Sequence, residues 1–182
     1  MGEADVFDVF SFYYIIVAIT LSNKWRQERT MPKVLKLYLD TSIPNGYFDP
    51  KNLNRQRITK EFWLKLSKYQ VFISDIVIDE TKATGDKNRR QDLLKLVKTF
   101  ECLSVKNSEI KALAEEYIVR GVIPVKYFED ALHIAVATVN SLDILISWNF
   151  EHIVKLKTKR EVNVINVLLG YGEIEIIEPA ML

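Results

Sequence analysis

From residue 34 onward, short unbroken apolar runs alternate with longer stretches in which apolar residues recur every three or four positions. The runs have the length and β-rich make-up of buried strands, and the periodic stretches have the spacing of helices. Residues 34–39 (VLKLYL) predict a first strand, ended by Asp40 and the turn-type string SIPNG. Ile58, Phe62, Leu66 and Tyr69 predict a helix over 57–69. Residues 71–73 predict a second strand, and Ser74 is a natural N-cap for a helix carrying Ile76, Val77 and Glu80. Asp86 caps a helix through Leu93, Leu94 and Val97, and 102–105 read as a third strand. Asn107 or Ser108 starts a helix with Ile110, Leu113, Ala114, Tyr117 and Ile118 inward, stopped at Gly121. A strong helix is expected over 126–139, a fourth strand over 142–147, a short helix over 150–156, a strand over 162–165 and a last strand before Pro179.

Short apolar strands joined by helical crossovers imply a parallel sheet covered on both faces, a three-layer α/β/α sandwich. Ligands of such sheets gather beyond the carboxyl ends of the strands. Asp40 and Asn149 each follow a predicted strand and should meet at that rim. Glu80 and Asp130 add acids near the ends of apolar helices. A carboxylate at the edge of an apolar element is costly to desolvate unless it is paired. Several of them on one rim repel each other unless a cation lies between, so the pattern points to a divalent metal site and to metal-assisted phosphodiester hydrolysis.

Composition narrows this little. The 182 residues are 48% hydrophobic and 27% charged, which suits one globular domain. A net charge of +1 excludes the strongly basic footprint of a dedicated DNA-binding domain. Local basic clusters remain at Arg55, Arg57 and Lys60, at Lys87, Arg89 and Arg90, and at Lys155, Lys157, Lys159 and Arg160. These are either solvated helix faces or phosphate contacts beside an acidic centre. The single cysteine, Cys102, excludes a disulfide framework and a cysteine-rich zinc site, reads as a small core residue, and fits a reducing, cytoplasmic setting. Residues 6–21 are the most apolar stretch, but they are shorter than a usual span, contain Asp8 and follow an acidic rather than a basic leader, so no stable membrane association is favoured. Met31 opens a complete first strand. We therefore expect residues 1–30 to be an apolar extension from a start codon assigned too far upstream, and residues 31–182 to be the domain.

Each candidate has a plain structural role beside the chemical one. Asp40 can close an Asx-turn at the strand end. Asp130 can complement the dipole of its helix, although the apolar surroundings in ALHIAVA favour a site role. Glu129, about 100° further round that helix, faces solvent as at most a helper. Glu80 shares a face with Ile76, and Asp75 and Asp79 compete with it, Asp75 as a first-turn acid. Asn149 can cap a turn or orient a metal-bound water. Ser42 and Ser147 stand beside the two strand ends as supporting donors. His133, three residues after Asp130, reads as a core histidine.

Four strings, LYLDTS, VIDE, EDALHIAVA and LISWNFEHI, resemble in order the four motif regions of PIN-domain proteins, most closely the VapC-like toxins of toxin–antitoxin pairs. The resemblance runs from Val34 to Pro179. It implies a PIN-like α/β/α sandwich and a Mg2+- or Mn2+-dependent endoribonuclease, with an RNA substrate, a cognate antitoxin and a homodimer as partners. By position Asp40, Glu80 and Asp130 match the acidic triad and are the expected metal ligands. The family's fourth acid falls on Asn149, which removes a negative charge and leaves an amide oxygen. That departure keeps open a second reading, a catalytically weak PIN-like module that binds RNA or protein. An aspartyl-phosphate enzyme is disfavoured, because the second acid it needs two residues after Asp40 is Ser42.

Overall fold

The computed structural model describes residues 33–182 and, before them, only Val17. The expectation for residues 1–30 therefore lies outside the described residues. Residues 34–182 form one compact unit. Its sheet consists of β1 (Lys36–Leu39), β2 (Gln70–Ser74), β3 (Glu101–Leu103), β4 (Ile144–Ile146) and β5 (Glu175–Ile177), in the order β3-β2-β1-β4-β5 with every pair parallel. The helices are α1 (Ser42–Tyr47), α2 (Leu53–Trp63), α3 (Asp75–Lys82), α4 (Lys87–Val97), α5 (Ser108–Val119), α6 (Phe128–Val139) and α7 (Leu156–Leu168).

Successive strand side chains point to opposite faces, and here both faces are buried. Leu37 and Leu39 join Ile43, Phe62, Val77 and Val97 from α1 to α4 on one side. Tyr38 joins Ile110, Ile134, Val162 and Ile165 from α5 to α7 on the other. This is the expected three-layer sandwich, and it explains why the strands read as unbroken apolar runs rather than alternating ones. Because β1 is flanked by β2 and by β4, the strand order reverses direction at β1, and the carboxyl ends of β1 and β4 lie side by side.

Several local expectations change. The predicted strand over 162–165 lies inside α7. Its β-branched residues misled the local pattern, but Val162, Ile165 and Asn166 share one buried helical face. Asn166 accepts the Tyr117 hydroxyl at 2.5 Å and donates to Thr138 at 3.3 Å, tying α7 to α5 and α6. SIPNG forms α1 rather than a turn, because Pro44 falls in the first turn, where its missing N–H costs nothing. The helix expected over 57–69 begins earlier, capped by the Asn52 side chain at the Arg55 N–H, and gives way to a 3-10 turn at Leu66–Lys68. Residues 150–154 form turns rather than a helix, and Leu156 already opens α7. Cys102 is exposed, not a core residue, because β3 is the sheet edge and only Leu103 turns inward. Asp86, Asn107 and Gly121 delimit their helices as expected, Gly121 at φ 72°.

Candidate active site

The carboxyl ends of β1 and β4 open into a cleft of ≈ 520 Å³ whose walls include Asp40, Glu80, Asp130, His133 and Asn149. The four residues named from the sequence are therefore brought together. Glu129 is exposed and not among the cleft's lining residues.

Asp40 is only 3% exposed and leaves β1 with both carboxylate oxygens engaged. One accepts the Ser42 N–H at 3.0 Å and the Ser42 hydroxyl, and the other accepts the Ser147 hydroxyl at 2.7 Å. The two serines are themselves held. Ser42 Oγ accepts the Trp148 N–H at 2.7 Å, and Ser147 Oγ accepts the Asn149 N–H at 2.9 Å. Burial raises the Asp40 carboxyl above its ordinary value, opposed by the charge of His133 and by the serine hydrogen bonds.

Asp130 sits in the first turn of α6 and is half-buried. Burial raises its carboxyl too. The Asn149 side chain opposes the shift by a hydrogen bond, and the negative charge of Asp40 adds to it. Asn149 spends its amide oxygen on the His152 N–H at 2.9 Å, so its NH2 group is the part that serves Asp130. An NH2 group can donate to the acid, which an ionised aspartate in its place could not.

Glu80 lies in the last turn of α3, where a helix dipole disfavours an acid. Its partners compensate. The Thr41 hydroxyl donates to it, and His133 Nε2 stands 3.5 Å away. Burial would raise its carboxyl, but His133 and Thr41 outweigh burial and lower it. His133 is 3% exposed. Burial opposes its charge, yet Glu80, Asp40 and Asp130 together raise it above the ordinary imidazole value. On the other side of the ring, Nδ1 shares a hydrogen bond with the Tyr38 hydroxyl at 2.7 Å, and that hydroxyl shares one with Ser74 at 2.6 Å. Ser74 precedes α3 without capping it, because its hydroxyl is turned to Tyr38.

His133 is the residue whose part sequence reading missed. The only signal was its spacing of three from Asp130, which places it on the same side of α6. Thr41 and Arg55 also line the cleft. Arg55 is the one member of the three basic clusters that does so, held by Asp49 at 3.3 Å and the Ser42 carbonyl at 2.8 Å. Lys159 and Arg160 instead line a separate groove on α7 with Val164, Val167 and Leu168. Asp75 binds the Val105 N–H and the Ser104 hydroxyl, fastening β3 to α3.

The donor set is all oxygen, with one imidazole behind it, and suits a hard divalent cation. The charge of Asp40 raises the proton affinity of Asp130, and a cation between them would relieve that repulsion. Among the described residues, however, no three Asp, Glu, His or Cys side chains already converge as a metal cage. The acids line the cleft and do not close on one point.

No protein-family model matches this sequence, and no curated protein resembles it in sequence. Solved structures do resemble it in fold. VapBC2 from Rickettsia felis, bound to a DNA fragment from its promoter, gives a TM-score of 0.53 at 14% identity, over 79% of this chain and 98% of the matched one. A toxin–antitoxin complex from Klebsiella pneumoniae gives 0.50 at 18%, over 67% and 93%. VapC20 of Mycobacterium tuberculosis, a toxin that cleaves the sarcin–ricin loop, gives 0.51 at 18%, over 76% and 98%. The fold is that of the VapC-like PIN domains, as the motif strings implied.

Proposed function

We propose that this chain is a metal-dependent endoribonuclease and the toxin of a toxin–antitoxin pair. One observation carries the reading: Asp40, Asp130 and Glu80, far apart in sequence, line a single cleft at the point where the strand order reverses, in a fold shared with VapC toxins. Asp40 and Asp130 would hold Mg2+ or Mn2+ directly, with Glu80 as a third or water-mediated ligand. A divalent cation there supplies charge neutralisation at the phosphate and a more acidic bound water.

The chain's own residues divide the remaining work. Ser42 and Ser147 fix the plane of Asp40. Asn149 orients Asp130 through its NH2 group. His133 and Thr41 keep Glu80 ionised and aimed inward. Arg55 places a cation at the mouth of the cleft, where a phosphate of the RNA would lie. An antitoxin would act by covering this rim, and a second copy of the chain is the expected further partner. Among the described residues no helix is long and apolar enough to cross a membrane.

The test is cleavage of RNA with added Mg2+ or Mn2+ by wild type, Asp40→Asn and Asp130→Asn. Loss in both variants, with the circular dichroism spectrum intact, supports the reading. Metal-dependent cleavage that survives both changes sinks it. The open spacing of the acids and the amide at Asn149 favour one alternative, a PIN-like module that binds RNA or protein without cutting. Calorimetric binding of Mn2+ with no turnover on any RNA would select that alternative.

A further inference from the structure

Beside the acidic cleft lies a second hollow of ≈ 310 Å³, lined by Asn52, Asn54, Arg55, Ile58, Trp148 and Phe150. Arg55 lines both hollows, so they are neighbours across one side chain. Three properties set this hollow apart from an ordinary surface dent. Phe150 is 52% exposed although aromatic, and its ring stands 6.1 Å from that of Trp148 at an angle of 54°, making an open aromatic corner. The corner is rigid on its Trp148 side. The indole N–H donates to Thr59 at 2.9 Å, the backbone N–H donates to Ser42, and a Cβ on Gly46 would come within 3.0 Å of the indole nitrogen. The lining also carries two amides. The Asn52 oxygen is committed to the Arg55 N–H and the Asn54 oxygen to Arg57, while neither NH2 group bonds another described residue.

An exposed aromatic face, amide donors and a guanidinium together fit a flat heteroaromatic ring that carries hydrogen-bond acceptors and is attached to an anion. Resting on the ribonuclease reading of the adjoining cleft, we propose that this hollow seats one unpaired nucleobase of the RNA, next to the phosphate held at the acids. The base stacks on Phe150 and presents its edge to Asn52 and Asn54. Arg55 spans the step from base to phosphate. The substrate is then single-stranded or looped RNA at this position, because a base inside a duplex offers no free face.

The test separates binding from cleavage. Anisotropy of a short fluorescein-labelled single-stranded oligoribonucleotide of mixed sequence is measured in EDTA, which stops turnover, beside an abasic oligomer of equal length. Phe150→Ala should weaken the base-bearing oligomer roughly 10-fold or more, the scale of one base stacked on one ring. It should leave the abasic oligomer unchanged, and Phe150→Trp should restore binding. Thermal melting of Phe150→Ala should match wild type, since the ring is half-exposed. Equal binding of both oligomers by wild type and Phe150→Ala overturns the proposal and leaves the aromatic corner to a protein partner. A wild type that cleaves RNA while Phe150→Ala binds normally overturns the base site alone. A wild type that neither binds nor cleaves removes the ribonuclease reading with it.

Discussion

The two walls of the acidic cleft hold their carboxylates by opposite means. On the β1–β4 wall, Asp40 is buried and each oxygen has its hydrogen bond, in a web of serine hydroxyls and backbone N–H groups that joins the residues just past β1 to those just past β4. On the α3–α6 wall, Glu80 is 39% exposed in the last turn of its helix and depends on one threonine and one histidine. The first wall is pre-organised at the cost of desolvating a charge, and its acid takes up protons more readily. The second stays ionised and more open to solvent. A cation at this rim would meet one ligand fixed by the sheet side of the cleft and one more open to solvent.

The contrast breaks if the two acids prove equivalent. Asp40→Asn should reduce RNA cleavage by on the order of 1,000-fold, several kcal/mol of lost charge stabilisation, with little change in melting temperature. Ser147→Ala, which touches no substrate, should cost roughly 10- to 100-fold, as removing an orienting partner of a metal ligand does. Glu80→Gln should cost about 10-fold, and much of that should return at high Mn2+ concentration, a recovery that Asp40→Asn should not show. If Glu80→Gln is as damaging as Asp40→Asn and equally deaf to metal, both walls are rigid and the contrast fails. Steady-state rates over a metal titration decide between these outcomes.

Titration sharpens the same contrast without an activity assay. The raised carboxyls of Asp40 and Asp130 contribute stability that is complete below the ordinary carboxyl value and is lost as pH rises through their raised values. The raised imidazole of His133 follows the same sign one step higher in pH. Glu80, lowered, contributes in the opposite sense, above the ordinary value, and that contribution is lost as pH falls through its own. Metal-free protein should therefore melt lower at neutral than at mildly acidic pH. Added Mg2+ or Mn2+ should restore the neutral value, by about 2.7 kcal/mol at a hundred times its dissociation constant. In Asp40→Asn the metal should restore nothing. A melting temperature indifferent to metal at neutral pH would count against a cation site at this rim. The smallest effect belongs outside the cleft: Cys102→Ser, on the exposed edge strand, should stay within about 0.5 kcal/mol of wild type in denaturant unfolding.

What the sequence made legible was whatever depends on local pattern and order. Asp40 and Asn149 could be assigned to one rim because each ends an apolar strand, and parallel strands end together. What stayed hidden depends on contacts between distant residues. VNVIN reads as a strand until Tyr117 and Thr138 give Asn166 its buried partners on a helix. His133 reads as core until Tyr38 and Glu80 stand on either side of its ring. Asn149 reads as a weakened ligand until His152 occupies its oxygen and leaves the NH2 group to Asp130. Cys102 reads as interior because FECLSV is mostly apolar, and nothing in that string says that β3 lies at the edge of the sheet.

The edges have a consequence of their own. β3 and β5, the outermost strands, are three residues long each, while the inner β2 has five. So little open ladder gives a neighbouring chain few backbone groups to zip onto, which guards against fibre-like growth. Two copies meeting through a continuous ten-stranded sheet would gain little at the seam. Among the described residues, α7 with its exposed Val164, Val167 and Leu168 offers apolar side chains for self-association instead.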